Sequence, residues 1–124
     1  MAELKRYFIK YVRDRAKAKY DKGSCCDICG STDQLDFHHF YSLAELVADW
    51  QKKNGLDIQT AEEAFKWRDK FIEEHHDELY VHAATLCREH HQKLHSIYGR
   101  NPPRYTAKKQ ERWVNIQREK HGHI

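Results

Sequence analysis

Two short cysteine motifs far apart in the chain constrain its fold more than any other feature. The first is Cys26-x-x-Cys29, and the second, separated from it by 57 residues, is Cys87-x-x-His90. Two thiolates at this spacing can chelate one ion from a tight turn, and a set of three cysteines and one histidine is a closed tetrahedral zinc site. The motifs therefore predict a structural zinc that joins two distant segments. Cys25 competes with Cys26 as a ligand, and we favour Cys26 because two intervening residues are the common spacing. The alternative is four free cysteines in a small core.

The length of the chain and its short apolar runs limit the classes of protein to which it can belong. The 124 residues suit a single domain. No apolar run approaches the roughly 20 residues that a membrane span needs, so we expect no membrane partner. The N-terminal residues mix charges with apolar positions, which is unlike a signal peptide. We expect a reducing cytosolic environment, where cysteines serve as metal ligands rather than disulfides.

Charge is distributed unevenly along the chain. The net charge is +3, but residues 1–23, 24–87 and 88–124 carry +5, −8 and +6. If the two basic ends meet in the fold, they form a face suited to a phosphate backbone. The alternative is that these helix surfaces are simply charged. The basic residues that we expect to contact nucleic acid are Arg6, Lys10, Arg13, Lys93, Arg100, Arg104, Lys108 and Lys109.

The spacing of apolar residues predicts a mixture of helices and two short strands. Two S/T-x-x-E capping boxes, at Ser42 and Thr60, predict the starts of two helices between the strands. We also expect Thr106 to cap the last helix. The predicted elements are a helix over 3–20, a strand over 35–40, helices over 42–53 and 60–76, a strand over 79–86, a helix over 88–98 and a final basic helix from 106.

Five histidines form a pattern that indicates a metal-binding active site. His91 and His95 share one face of a predicted helix, so both imidazoles can bind one metal. The pattern HExxH is absent, which excludes a zincin-type protease helix. His38 and His39 are neighbours on a predicted strand and point to opposite faces, so one can bind the metal while the other faces a substrate. His82 lies on the second predicted strand.

Taken together, these motifs resemble the HNH endonuclease family. The order CxxC, LxFHH and TLCxxHHxxxH, over residues 25–41 and 80–96, is similar to the family's order of ligands. The resemblance implies the ββα-metal fold: an α+β core of a two-stranded antiparallel hairpin and one helix, with a structural zinc, flanked by terminal helices and a helical insertion. It implies a single domain over 1–124 that consists of a basic N-terminal helix (1–23), core segments (24–41 and 80–99), an insertion (42–79) and a basic C-terminal helix (104–121).

The resemblance also implies a role for each histidine. His39 would be the general base that takes a proton from water. His38, His91 and His95 would hold a divalent ion that stabilises the leaving group. His82 stands where the family has asparagine and would orient His39 or its loop. Three imidazoles favour Zn, Ni, Co or Mn over Mg, although Mg can work through phosphate and water oxygens.

The function that follows is a metal-dependent endonuclease hydrolysing the phosphodiester bonds of double-stranded DNA. The resemblance implies a phage or mobile-element protein in the cytoplasm of a bacterial or phage-infected cell. Two alternatives remain open: a non-catalytic zinc module that only binds nucleic acid, and a nonspecific DNA or RNA nuclease. The four histidines at positions 38, 39, 91 and 95 argue against the non-catalytic module, because binding of nucleic acid alone needs none of them.

The insertion over 42–79 is acidic. It carries ten acids and five bases, a net charge of −5, so we expect that it is not the main DNA-reading surface. Its apolar residues exceed what one short helical hairpin can bury, so they should pack on the terminal helices or on a second subunit of a homodimer. These residues are Leu43, Leu46, Val47, Trp50, Phe65, Trp67, Phe71 and Ile72.

Overall fold

Helices surround a single hairpin in the computed structural model, which describes residues 7–20 and 22–122. The predicted α+β class, with a two-stranded antiparallel hairpin and several helices, is confirmed. The elements in chain order are α1 (Phe8–Lys17), β1 (Leu35–His39), α2 (Leu43–Asn54), α3 (Ala61–Glu74), a π-helical turn (Asp77–Val81), β2 (Ala83–Cys87), α4 (Arg88–Tyr98), a 3-10 turn (Arg104–Thr106) and α5 (Ala107–Lys120).

The hairpin register brings the cysteine motifs together. β1 pairs with β2 so that Leu35 lies opposite Cys87 and His39 opposite Ala83. The cysteine turn before β1 is attached to β2, because the Asp27 N–H donates to the Thr85 carbonyl over 2.8 Å and the Thr85 N–H donates to the Asp27 carboxylate over 2.8 Å. α4 begins directly after β2, and its first turn therefore lies beside the cysteine turn.

Ser42 and Thr60 cap the two helices of the insertion, as the sequence predicts. The Ser42 hydroxyl accepts from the Glu45 N–H over 3.3 Å, and the Thr60 hydroxyl accepts from the Glu63 N–H over 3.2 Å. Each cap satisfies an amide that the first helical turn leaves without a partner. Gly55, at φ 60°, ends α2 in the left-handed conformation that glycine adopts without strain.

The buried apolar residues of the described chain form two clusters. The first joins α1 to the insertion, and in it Val12 and Phe71 are fully buried. The second joins the cysteine turn, β2, α4 and α5, and in it Leu86 and Leu94 are fully buried. The prediction that the insertion packs on a terminal helix is confirmed for α1, although Phe65 keeps 48% of its surface exposed. The homodimer stays a prediction.

Three local predictions differ from the structure. The strand predicted over 79–86 is wrong at its start, because residues 77–81 form the π-helical turn and His82 lies in a bend before β2. Leu79 is fully buried in the cluster that joins α1 to the insertion. The start of this apolar run is therefore buried by packing against helices and not by pairing in the sheet. Thr106 stands at the N-cap of α5, but its side chain makes no capping bond, because its hydroxyl donates to the Pro103 carbonyl over 2.6 Å and accepts from the Gln110 side-chain amide over 2.9 Å. The helix predicted over 3–20 ends at Lys17, and its first residues lie outside the described part of the chain.

None of the helices in the described part of the chain is long and apolar enough to cross a membrane.

Candidate metal centres and active site

The predicted zinc ligands lie together. One ligand atom each from Cys26, Cys29, Cys87 and His90 falls within 4.8 Å of the others. The Cys29 and Cys87 sulfurs are 3.9 Å apart, and the Cys87 sulfur is 3.3 Å from His90 Nδ1. Cys25 is not a member of this group, in agreement with the preference for Cys26.

The surroundings of these sulfurs favour a bound cation. Burial raises the pKa of the Cys26 thiol, but backbone N–H donors at Cys29, Cys87 and Ile28 outweigh it and hold that pKa below its usual range. Burial, assisted by the neighbouring Cys26 and Cys87 thiols, raises the pKa of Cys29 to about 11. Three adjacent thiols cannot all ionise without a compensating charge, and a divalent ion supplies it. The cluster is therefore compatible with zinc, the ion that a donor set of three sulfurs and one nitrogen suits best.

A second group of ring nitrogens converges where β1 meets α4. His38 Nδ1 is 3.2 Å from His91 Nε2, which is 3.0 Å from His95 Nε2. All three nitrogens lie within 4.8 Å of one another. The strand supplies one ligand and the i, i+4 pair on the helix supplies two, as the sequence predicts.

Each of these rings is bonded to an acceptor through its other nitrogen. The His38 Nε2–H donates to the Gln110 side-chain carbonyl over 2.8 Å, because the Gln110 amide group donates instead to the Phe40 carbonyl and the Thr106 hydroxyl. The His91 Nδ1–H donates to the Asp36 carboxylate over 3.2 Å. The His95 ring likewise donates to the carbonyl of residue 99 over 2.9 Å.

These acceptors fix the tautomers, so three lone pairs point at one another. Protein metal sites hold ligating histidines by outer partners of this kind. Burial also lowers the pKa of His38 to about 3 and lowers the pKa of His91, which keeps both rings in the neutral, ligating form. Unshared pairs this close repel one another unless a cation lies between them. The arrangement therefore fits a divalent metal.

His39 lies beside this group but on the other face of β1. Its ring is 6.1 Å from the Tyr20 ring, whereas His38 faces α4. Its Nδ1 is buried and has no hydrogen-bond partner among the described residues. Burial, with a smaller contribution from the Arg13 charge, lowers the pKa of His39 to about 4. The ring is thus held neutral, the form that accepts a proton.

One cavity joins these histidines. It has a volume of about 290 Å³ and is lined by His39 together with the metal-binding candidates His38, His91 and His95. Two guanidinium side chains, Arg13 from α1 and Arg100 from the loop after α4, line the same cavity. We call it the catalytic cavity, after the role that we propose for it below.

His82 has a different environment from the one that the sequence predicts. Its ring Nδ1 is 2.8 Å from the Glu111 carboxylate on α5, and its side chain is 41% exposed. Its carbonyl accepts from the Phe40 N–H over 3.0 Å, directly after His39. The link from His82 to the end of β1 therefore runs through the backbone.

The predicted nucleic-acid contacts fall into three groups. The first is five exposed residues: Arg13 and Arg100 line the catalytic cavity, and Lys10, Lys108 and Lys109 lie outside it. The second, Lys93 and Arg104, pairs with carboxylates. Lys93 pairs with Glu89 over 3.6 Å. Arg104 is held by the insertion: its guanidinium is 3.6 Å from the Asp49 carboxylate, and its backbone N–H donates to the Glu45 carboxylate. Arg6 lies outside the described residues.

Two residues of the site were not predicted from the sequence. Asp36 precedes His38 by two positions and so shares its strand face, a signal that the period of a strand carries. Gln110 is fully buried on the apolar face of α5, between Ala107 and Val114. A polar residue on an apolar stripe is the only local signal for it, and its partner is 72 residues away in the chain.

A family model described as the nicking endonuclease family, and named for phage T5, matches residues 1–123. No solved structure matches the chain.

Proposed function

The chain belongs to the nicking endonuclease family, and from this premise we propose that it is an HNH-type, metal-dependent endonuclease that cuts one strand of double-stranded DNA. The family implies a nuclease that acts on DNA. The observation that carries the finer proposal is the catalytic cavity, where His39 lines the same walls as the three converging imidazoles of His38, His91 and His95. We further propose one HNH nuclease domain over residues 1–124, which acts in the cytoplasm of a bacterial or phage-infected cell.

The positions of the side chains suggest a separate role for each group of residues in the cavity. His38, His91 and His95 would hold the catalytic ion, which would polarise the scissile phosphate and stabilise the leaving oxygen. His39, which lines the cavity, takes a proton from the attacking water. Arg13 and Arg100 bind the phosphate oxygens, because guanidinium groups match phosphate geometry.

Residues outside the cavity hold these groups in place. Gln110 and Asp36 fix two of the ligating rings, and so restrict their reorientation when a substrate enters. His82 positions the end of β1 through its carbonyl, while its ring ties the bend before β2 to Glu111 on α5. A zinc held by the cysteine cluster would join the cysteine turn to the start of α4, which carries two of the proposed catalytic ligands.

The first test is incubation of supercoiled plasmid with the protein and one divalent metal at a time, from Zn, Ni, Co, Mn and Mg, with EDTA as the control. We expect open-circular DNA to accumulate before linear DNA, because the described residues of one chain form one such cavity, and a monomer with one site must cut the two strands in separate events. If no metal supports cleavage of the supercoiled plasmid, the result would favour the non-catalytic zinc module instead. Equal digestion of RNA and DNA would indicate a nonspecific nuclease.

A second prediction concerns the arginines. In a His39→Ala background, which stops cleavage, binding to duplex DNA should weaken steeply with salt. Arg100→Gln should reduce the slope of log K against log salt by about 0.9, the value for one phosphate contact. Arg104→Gln is the matched control and should leave the slope unchanged, because Asp49 already pairs with Arg104. Equal slopes for both variants, or a flat salt dependence, would contradict the assignment.

A further inference from the structure

A second cavity shares a wall with the catalytic cavity and has no part in the mechanism above. Its volume is about 740 Å³, within the range of small-molecule sites. Phe37 of β1 lines both cavities. The other walls come from α1, α3 and the π-helical turn, and they include Tyr80, His76, Lys19, Asp69 and Glu73.

Two aromatic rings in this wall are held in fixed positions. Phe37 stacks on Tyr20, with ring centroids 4.3 Å apart and an interplanar angle of 15°. Tyr80 meets the same Tyr20 ring edge-on at 5.8 Å, and its hydroxyl donates to the Ala16 carbonyl over 3.0 Å. Tyr80 is carried by the π-helical turn, a distortion that occurs frequently at functional sites. Rigid, partly exposed aromatic rings are suited to stacking with a flat ligand.

The charges in the cavity are balanced, two carboxylates against the cations Arg15 and Lys19, so the cavity lacks the excess positive charge of a phosphate site. Asp69 and Glu73 place two carboxylates in the wall, and Arg15, one of the cations there, is engaged by Asp69 at 3.3 Å. A carboxylate repels phosphate but accepts hydrogen bonds from the exocyclic amino groups of bases. An uncharged, planar ligand with hydrogen-bond donors at its edge matches both the rings and the carboxylates.

We propose that this cavity receives an unstacked nucleobase of the cut strand, adjacent to the scissile phosphate. The inference rests on the proposed function. Phe37 and His39 occupy alternate positions of β1 on the same face, about 7 Å apart. A strand whose phosphate reaches His39 therefore brings a neighbouring base to Phe37. Stacking on Phe37 and Tyr80 offsets the loss of stacking within the duplex, and Glu73 and Asp69 select among bases by their amino groups.

The test is a double-mutant cycle between the protein and the DNA. The substrates are duplexes that contain one mapped nick site, either intact or with a single abasic nucleotide at each position around it. For the unmodified protein, we expect one abasic position beside the cut to lower kcat/KM about 10- to 100-fold, the range for stacking one base. In Tyr80→Leu, the same lesion should lower kcat/KM by only about 3-fold, because one of the two rings on which the base would stack is gone.

Two matched variants separate stacking from folding. Tyr80→Phe keeps the ring and loses the hydroxyl, so it should retain the full abasic effect. Phe65→Leu removes an exposed ring of α3 outside this cavity and should also retain it. Glu73→Gln, at an exposed position, should change the preference among the four bases at the sensitive position, which keeps the proposal testable if Tyr80→Leu does not fold.

The outcomes distinguish this proposal from the one on which it rests. Equal abasic effects in Tyr80→Leu and Tyr80→Phe, or cleavage that tolerates an abasic nucleotide at every position, would overturn the base-binding cavity and leave the nuclease proposal intact. Failure of the unmodified protein to cut any DNA would overturn the proposed function, and the cavity proposal with it.

Discussion

Replacing His39 with alanine is expected to lower the rate of DNA cleavage about 10²- to 10⁴-fold, the usual contribution of a general base. The loss corresponds to about 3–5 kcal/mol of transition-state stabilisation. The ring lies in the catalytic cavity, its Nδ1 has no partner among the described residues, and burial keeps it neutral. Because its structural contacts are few, the variant should keep its fold and its metals. Initial rates of plasmid nicking, with metal content determined on the same samples, measure both.

Two controls make this result specific. Added imidazole should partly restore cleavage by His39→Ala, because it can enter the vacated volume and accept the proton. His82→Ala should lose less activity than His39→Ala, since the His82 ring bonds to Glu111 and its carbonyl link to Phe40 survives the substitution. Cleavage by His39→Ala at nearly the unmodified rate would remove His39 from the role of base.

The ligand groups could be predicted because their geometry is local. Cys26 and Cys29 lie within one turn, and His91 and His95 lie on one helical face, so their spacing in the chain sets their spacing in the fold. Each ligand group combines residues from two segments that are distant in the chain. The pairing of β1 with β2, which leads directly into α4, brings those segments together. The family match supports a nuclease, and the HNH assignment rests on these ligand groups.

The remaining features depend on tertiary contacts that no local pattern encodes. The run from Leu79 to Leu86 is compatible with a strand throughout, but burial of Leu79 against α1 turns its first residues into a π-helical turn. Gln110 becomes part of the site only because α5 packs across the hairpin. Charge alone predicts that Arg104 contacts DNA, whereas the acidic insertion pairs with it.

Substitution of Cys87 with serine is expected to unfold most of the protein. Cys87 is the last residue of β2, the residue before α4 and a member of the cysteine cluster that could hold zinc. Structural zinc binding supplies about 10–16 kcal/mol of apparent folding free energy in small domains. A domain of this size is stable by only about 5–15 kcal/mol in total, so losing the ion removes most or all of that margin. The two apolar clusters would then lack the link that the cysteine turn makes to β2 and α4.

Elemental analysis and far-UV circular dichroism measure this effect together. Protein purified without added metal should hold about one zinc tightly, and Cys87→Ser should lose both this zinc and the cooperative thermal transition. Cys25→Ser is the matched control, because Cys25 is the neighbour of Cys26 but not a member of the cluster, and it should keep the zinc and the transition. A folded, zinc-free unmodified protein would contradict the structural role of the ion. Loss of zinc from Cys25→Ser with retention in Cys26→Ser would instead exchange the two cysteines as ligands.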